Sequence, residues 1–123
     1  LQGRAEFIEK YFETIDELRE RGFAVVAFDW RGQGRSGRQV RDPRKGHVAS
    51  FADYRKDLEA IRSQALDALP QPHFCLAHSM GAAIALAEAR TGRLPFERLV
   101  ALTPMIALCM IKRPKFAARA SLV

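Results

Sequence analysis

The sequence predicts an α/β fold, a parallel sheet with helices on both faces. Three features of its 123 residues carry that expectation. Segments whose apolar residues recur at helical spacing alternate with short apolar runs of strand length. The runs are continuously apolar rather than alternating, as in strands buried on both faces. Each helical segment separates two runs, so the connections are crossovers, which are right-handed in such proteins.

The first helix is expected over residues 6–21. Ile8, Tyr11, Phe12, Ile15 and Leu18 share one face, while Glu9, Lys10, Glu13, Asp16 and Glu17 fill the other. Gly22 follows as the residue that ends it. Residues 23–29, Phe-Ala-Val-Val-Ala-Phe-Asp, form the first expected strand. Residues 30–47, rich in Gly and Arg and containing Pro43, read as loop. Ser50 then caps a second helix, with Asp53 at capping-box spacing. Its buried stripe is Phe51, Tyr54, Leu58, Ile61, Ala65 and Leu69, and Pro70 and Pro72 end it. A second strand is expected over 73–77. An alanine-rich third helix over 80–91 stops at Gly92, and a third strand over 98–102 runs into Thr103-Pro104.

The length allows one small domain. The net charge of +6 admits nucleic acid or an anionic membrane as partner. No zinc-finger, RNA-recognition or basic-zipper pattern is present, so nucleic acid is not expected. A weak contact with an anionic membrane surface stays open. Cys75 and Cys109 sit in apolar runs and read as buried thiols rather than a disulfide or metal pair. No signal-peptide pattern is visible, and the longest apolar run, 105–111, is too short to span a bilayer. A cytoplasmic or peripheral-membrane location is the expectation. Leu1-Gln2-Gly3 reads as the tail of a strand entering a turn, and residues 120–123 carry no terminating signal. A piece of a longer chain is therefore expected.

In open α/β sheets, sites form beyond the carboxyl ends of the strands. Three segments leave strands there: Asp29-Trp30-Arg31-Gly32, His78-Ser79-Met80-Gly81 and Thr103-Pro104-Met105. The second matches a nucleophile elbow, a serine on a sharp strand-to-helix turn with small residues two positions away on each side. Ala77 and Gly81 are those small residues, and Ser79 is the candidate nucleophile. The amide of Met80, at a helix N-terminus, would face a developing oxyanion. The plainer alternative makes Ser79 an ordinary helix N-cap. A second oxyanion donor usually comes from a loop after an earlier strand, and the backbone amide of Arg4, in Gln2-Gly3-Arg4-Ala5-Glu6, is the candidate. A simple helix-entry turn is the alternative. Gly32-Gln33-Gly34-Arg35-Ser36-Gly37 matches a dinucleotide-binding pattern but opens into a basic loop rather than a helix, so nucleotide binding is not expected.

Taken together, Asp29-Trp30-Arg31-Gly32-Gln33-Gly34-Arg35-Ser36, Ala77-His78-Ser79-Met80-Gly81 and Gln2-Gly3-Arg4-Ala5-Glu6 resemble the lysophospholipase and monoacylglycerol-lipase branch of the α/β hydrolases. The bacterial lysophospholipases of the L2 type are the nearest in pattern. The resemblance implies a partial α/β-hydrolase fold, with residues 1–104 as core and 105–123 as the start of a cap or lid. It implies hydrolysis of a lipid carboxylic ester through an acyl-enzyme on Ser79, most closely a lysophospholipase activity. A monoacylglycerol lipase, a general carboxylesterase, and a non-catalytic hydrolase-like fragment or binding module remain open.

The family order places an acid and then a histidine after the nucleophile. After Ser79 this sequence has neither His nor Asp, and its only acids are Glu88 and Glu97, neither at a strand's carboxyl end. His47, His73 and His78 all precede Ser79; His78 reads as a packing residue lining the site. The segment alone is therefore expected to be inactive, lacking the triad Asp and His, and poorly soluble, with an open sheet edge. No cofactor is implied, and no metal, because the histidines and acids lack ligand spacing.

Overall fold

The computed structural model describes residues 1–107. A 3-10 turn, Ile8–Tyr11, leads into helix α1, Phe12–Glu20. A second 3-10 turn, Phe51–Asp53, opens helix α2, Tyr54–Gln64, and a third, Leu66–Ala68, follows it. Strand β1, Phe74–His78, helix α3, Ser79–Ala89, and strand β2, Arg98–Leu102, form a strand-helix-strand unit. The two strands pair in parallel, from Phe74 opposite Arg98 to His78 opposite Leu102. This is the α/β class expected, with a parallel strand pair joined through a helix.

The helix ends follow local chemistry. Gly22 adopts φ +87°, its amide donates to Arg19 O (2.9 Å), and the Phe23 amide donates to Leu18 O (3.1 Å). This paired closure is the Schellman ending that a left-handed glycine permits. Ser50 Oγ accepts from the Ala52 amide (3.3 Å), so the expected cap on the second helix is present. The first helix begins later than its apolar spacing predicts. Phe7 is extended (φ −147°, ψ 159°), and Glu6, assigned to the helix from spacing, is instead buried before it.

Residues 23–29 are the principal departure. They form no regular element and pair in no ladder, and Phe23 is 47 % exposed. A strand requires a neighbour whose N–H and C=O groups complete its hydrogen bonds. Between this run and β1 lie Leu1 and Gln2. On the β1 side, the Leu1 nitrogen donates to Leu76 O (2.6 Å) and the His78 amide to Leu1 O (2.9 Å). On the other side, Trp30 Nε1 donates to Gln2 O and Gln2 Nε2 to Asp29 Oδ1, both 2.9 Å. These contacts to Gln2 run through the side chains of Trp30 and Gln2, and no backbone ladder joins the run to a neighbour among the described residues.

The core lies around α3. Its small residues Ala82 and Ala85 meet Cys75 and Ala77 of β1. Met80 and Ile84 meet Trp30 and the α2 residues Tyr54 and Leu58. Alanines let the helix lie close to the sheet, where dispersion contacts are densest. Burial raises the Cys75 thiol to about 11, so it stays protonated and inert. The opposite face of the two strands carries Phe74, Leu76, Val100 and Leu102, all exposed among the described residues. The expected cap beyond residue 107, with Cys109 and the basic 112–119 stretch, lies outside the described residues.

Candidate active site

The turn between β1 and α3 is sharp. His78 leaves the strand in extended geometry (φ −118°, ψ 138°), and Ser79, the first residue of α3, adopts φ +49°. A non-glycine residue in this left-handed region costs on the order of 1–3 kcal/mol and persists only where its surroundings fix it. Here the Met105 amide donates to Ser79 O (3.1 Å) and the His78 amide is held by Leu1. Ala77 is fully enclosed beneath the turn.

Gly81 has a specific steric reason. A Cβ there would lie 2.6 Å from both Leu1 O and Gln2 O, because that backbone crosses the start of α3. Gly81→Ala should therefore destabilise the fold by about 1–3 kcal/mol, the cost of overpacking a filled site. The check is chemical denaturation against Gly37→Ala, whose added Cβ would meet nothing within 4 Å. Equal stability of the two variants would contradict the account.

Gly3 packs against the elbow: a Cβ on it would come within 3.1 Å of Ser79 Cβ. Around Gly3 the loop is pinned. The Gly3 amide donates to Glu6 Oε2 (2.6 Å), and the amide of Ala5, itself at φ +57°, donates to Gln33 Oε1 (2.8 Å). Gln33 Nε2 donates back to Gly3 O (2.9 Å). Arg4 lies between them with an exposed side chain whose Nη1 donates to Gly46 O (3.1 Å). Its amide, and that of Met80, donate to no acceptor among the described residues. Free amides at a helix N-terminus and on an adjoining loop are the groups that receive an oxyanion.

The glycine-rich loop after residue 29 serves this edge. The buried Asp29 carboxylate accepts from Gln2 Nε2 (2.9 Å), the Ile8 amide (3.0 Å) and the Arg35 amide (2.8 Å). Burial alone would raise its pKa, but these hydrogen bonds outweigh burial and lower it. Ser36 Oγ donates to Asp29 O. Gly34, at φ +46°, would place a Cβ 2.0 Å from Asp29 Oδ2. The loop thus folds around an internal carboxylate, and Gly34 makes room for that group. Arg31 forks onto Asp57 of α2 (Nη2 to Oδ1, 2.6 Å), tying the loop to the helix layer.

The structure brings no base to Ser79 among the described residues. His78 turns its Nδ1 to Glu6 Oε2 (3.1 Å), and His73 Nε2 contacts Leu69 O (3.2 Å). Glu88 pairs with Arg55 (2.7 Å), and the Glu97 amide donates to His73 O (2.8 Å). No group of His, Cys, Asp and Glu among the described residues is arranged to hold a metal ion. Sequence reasoning missed Glu6. Its carboxylate accepts from Gly3, Lys10, Tyr11 and His78. Burial raises the pKa of Glu6, but these four donors prevail and set it at about 2. Its i,i+4 spacing to Lys10 was visible but reads equally well as a solvated helix face.

The sequence matches the family Hydrolase_4, serine aminopeptidase S33, over residues 1–122. It is 40 % identical over 118 residues to lysophospholipase L2 of Escherichia coli K12, covering 95 % of this chain and 34 % of that protein. It is 32 % identical over 95 residues to phospholipase YtpA of Bacillus subtilis, covering 77 % of this chain and 34 % of that one. The chain thus spans about a third of the length of these relatives. No solved structure matches it significantly.

Proposed function

Because this chain belongs to the serine aminopeptidase S33 family of α/β hydrolases, we propose that its protein hydrolyses a carboxylic ester of a lipid through an acyl-enzyme on Ser79. The observation that carries the reading is Ser79 at φ +49° between strand and helix, with the amides of Met80 and Arg4 donating to no acceptor among the described residues. In this reading Ser79 Oγ attacks the ester carbonyl and the two amides receive the oxyanion. The alcohol leaves, and water then releases the fatty acid. The base that takes the Ser79 proton comes from outside residues 1–107, so the segment alone turns over little or no ester.

A lysophospholipid is the proposed substrate, since relatives named as a lysophospholipase and a phospholipase align across most of this chain. No helix among the described residues is long and apolar enough to cross a membrane. A peripheral contact with anionic lipid, through exposed arginines such as Arg35 and Arg44, would bring such a substrate to the site.

The test uses the complete reading frame that carries these residues. A fluorophosphonate probe should label the peptide containing Ser79. Fatty acid should be released faster from lysophosphatidylcholine than from monoacylglycerol at equal concentration. Equal rates would overturn the substrate assignment and leave a general lipid esterase; label on another peptide would overturn the nucleophile.

A further inference from the structure

Resting on that reading of Ser79, we infer that Glu6 is a positioning residue, whose buried carboxylate locks the loop bearing the Arg4 amide to the nucleophile elbow. Glu6 is only 8 % exposed, yet it is an acid without a cation of its own depth. Its Oε2 accepts from the Gly3 amide (2.6 Å), Tyr11 Oη (2.6 Å) and His78 Nδ1 (3.1 Å), and its Oε1 accepts from Lys10 Nζ. Gly3 lies in the loop, and His78 adjoins Ser79, 72 positions along the chain from Glu6. One carboxylate therefore ties together the two segments whose spacing defines an oxyanion site.

The peptide geometry shows what is being fixed. The Gly3–Arg4 peptide carries the Gly3 carbonyl and the Arg4 N–H, which point in opposite directions in a trans peptide. Gln33 Nε2 takes that carbonyl (2.9 Å), which sets the direction of the Arg4 amide. Glu6 takes the Gly3 amide, which belongs to the preceding Gln2–Gly3 peptide, and so fixes the chain on the other side of the Gly3 Cα. A Cβ on Gly3 would lie 2.7 Å from Glu6 Oε2 and 3.1 Å from Ser79 Cβ, so the loop at Gly3 packs closely against both the carboxylate and the nucleophile. Ionised and fully engaged, Glu6 has no proton to give; its part is to hold geometry.

The experiment compares Glu6→Ala, Glu6→Gln and Ser79→Ala in the complete reading frame, with a soluble 4-nitrophenyl ester and rates expressed per folded molecule. Misplacing a catalytic group by about 1 Å costs about 100-fold, so Glu6→Ala should lower kcat by about that factor while KM moves less than about 2-fold. Glu6→Gln keeps the shape and one acceptor oxygen and should recover part of the loss. A purely structural role would lower the folded fraction and leave kcat per folded molecule intact; that result overturns the inference. Should Glu6→Ala fail to fold, Tyr11→Phe removes one donor and should lower kcat several-fold; unchanged kcat there overturns it equally. The two readings separate cleanly. An active Ser79→Ala removes the nucleophile itself, and an inert wild type does the same. An inactive Ser79→Ala beside a Glu6→Ala of full kcat removes only the role of Glu6.

Discussion

Ser79→Ala is expected to lower ester turnover by the complete reading frame by about 10⁴–10⁶-fold, the loss seen when the nucleophile of such a constellation is removed. The fold should scarcely change. Ala and Ser pay the same steric cost at φ +49°, and the backbone bond from Met105 to Ser79 O does not involve the side chain. Ser79→Gly makes the argument sharper. Glycine relieves the left-handed strain, so that variant should be equally inactive yet more stable by about 1 kcal/mol. Turnover of a 4-nitrophenyl ester and a urea melt read both quantities on one preparation. Loss of activity that tracked loss of structure would mean that Ser79 only caps the helix.

The second large effect concerns stability. Trp30→Ala should cost about 3–5 kcal/mol, the range for deleting a buried aromatic. Trp30 is fully enclosed, edge-on to Phe28 (centroids 4.7 Å apart) and to Tyr54 (5.3 Å), and against Met80 and Ile84 of α3. Its Nε1 also satisfies Gln2 O, which truncation would leave buried without a donor. Trp30→Phe keeps most of the packing and loses that bond, and should cost about 1–3 kcal/mol. The sequence has a single tryptophan, so far-ultraviolet circular dichroism must follow the melts. A loss under about 1 kcal/mol for Trp30→Ala would be incompatible with its place in the core.

What could be read from the sequence was local. Gly22, Ser50 and Gly92 act through their own dihedrals or nearest amides, so the helix ends they govern were legible. The β1–α3–β2 unit was legible because its apolar runs pair with each other within the chain. Residues 23–29 form an apolar run as β1 does, yet they pair in no ladder among the described residues; composition does not reveal a partner. Glu6 fits the polar face of a helix as well as Glu9 does, and only the approach of His78 and Gly3 draws it inward. The glycines of residues 32–37 resembled a phosphate cradle because the same dihedral freedom serves any close approach; Gly34 approaches the chain's own Asp29 and Gly32 the backbone at His47. The sharp turn at Ser79 was legible by pattern, since its small flanking residues Ala77 and Gly81 lie within two positions of it. No base or acid was legible with it, and none is brought to Ser79 among the described residues.

The cross-braces of this edge also bear on the order in which it forms. Gln2 reaches Asp29 across 27 positions, Gln33 reaches Gly3 across 30, and Glu6 reaches His78 across 72. Closing loops of that length loses chain entropy before any contact compensates. The 3-10 and α-helical turns can form early and alone; the arrangement around Ser79 cannot. It comes together only after β1 and α3 have been made and the beginning of the chain has returned to them. During synthesis, residues 2–6 would thus wait for more than seventy others before adopting their final geometry.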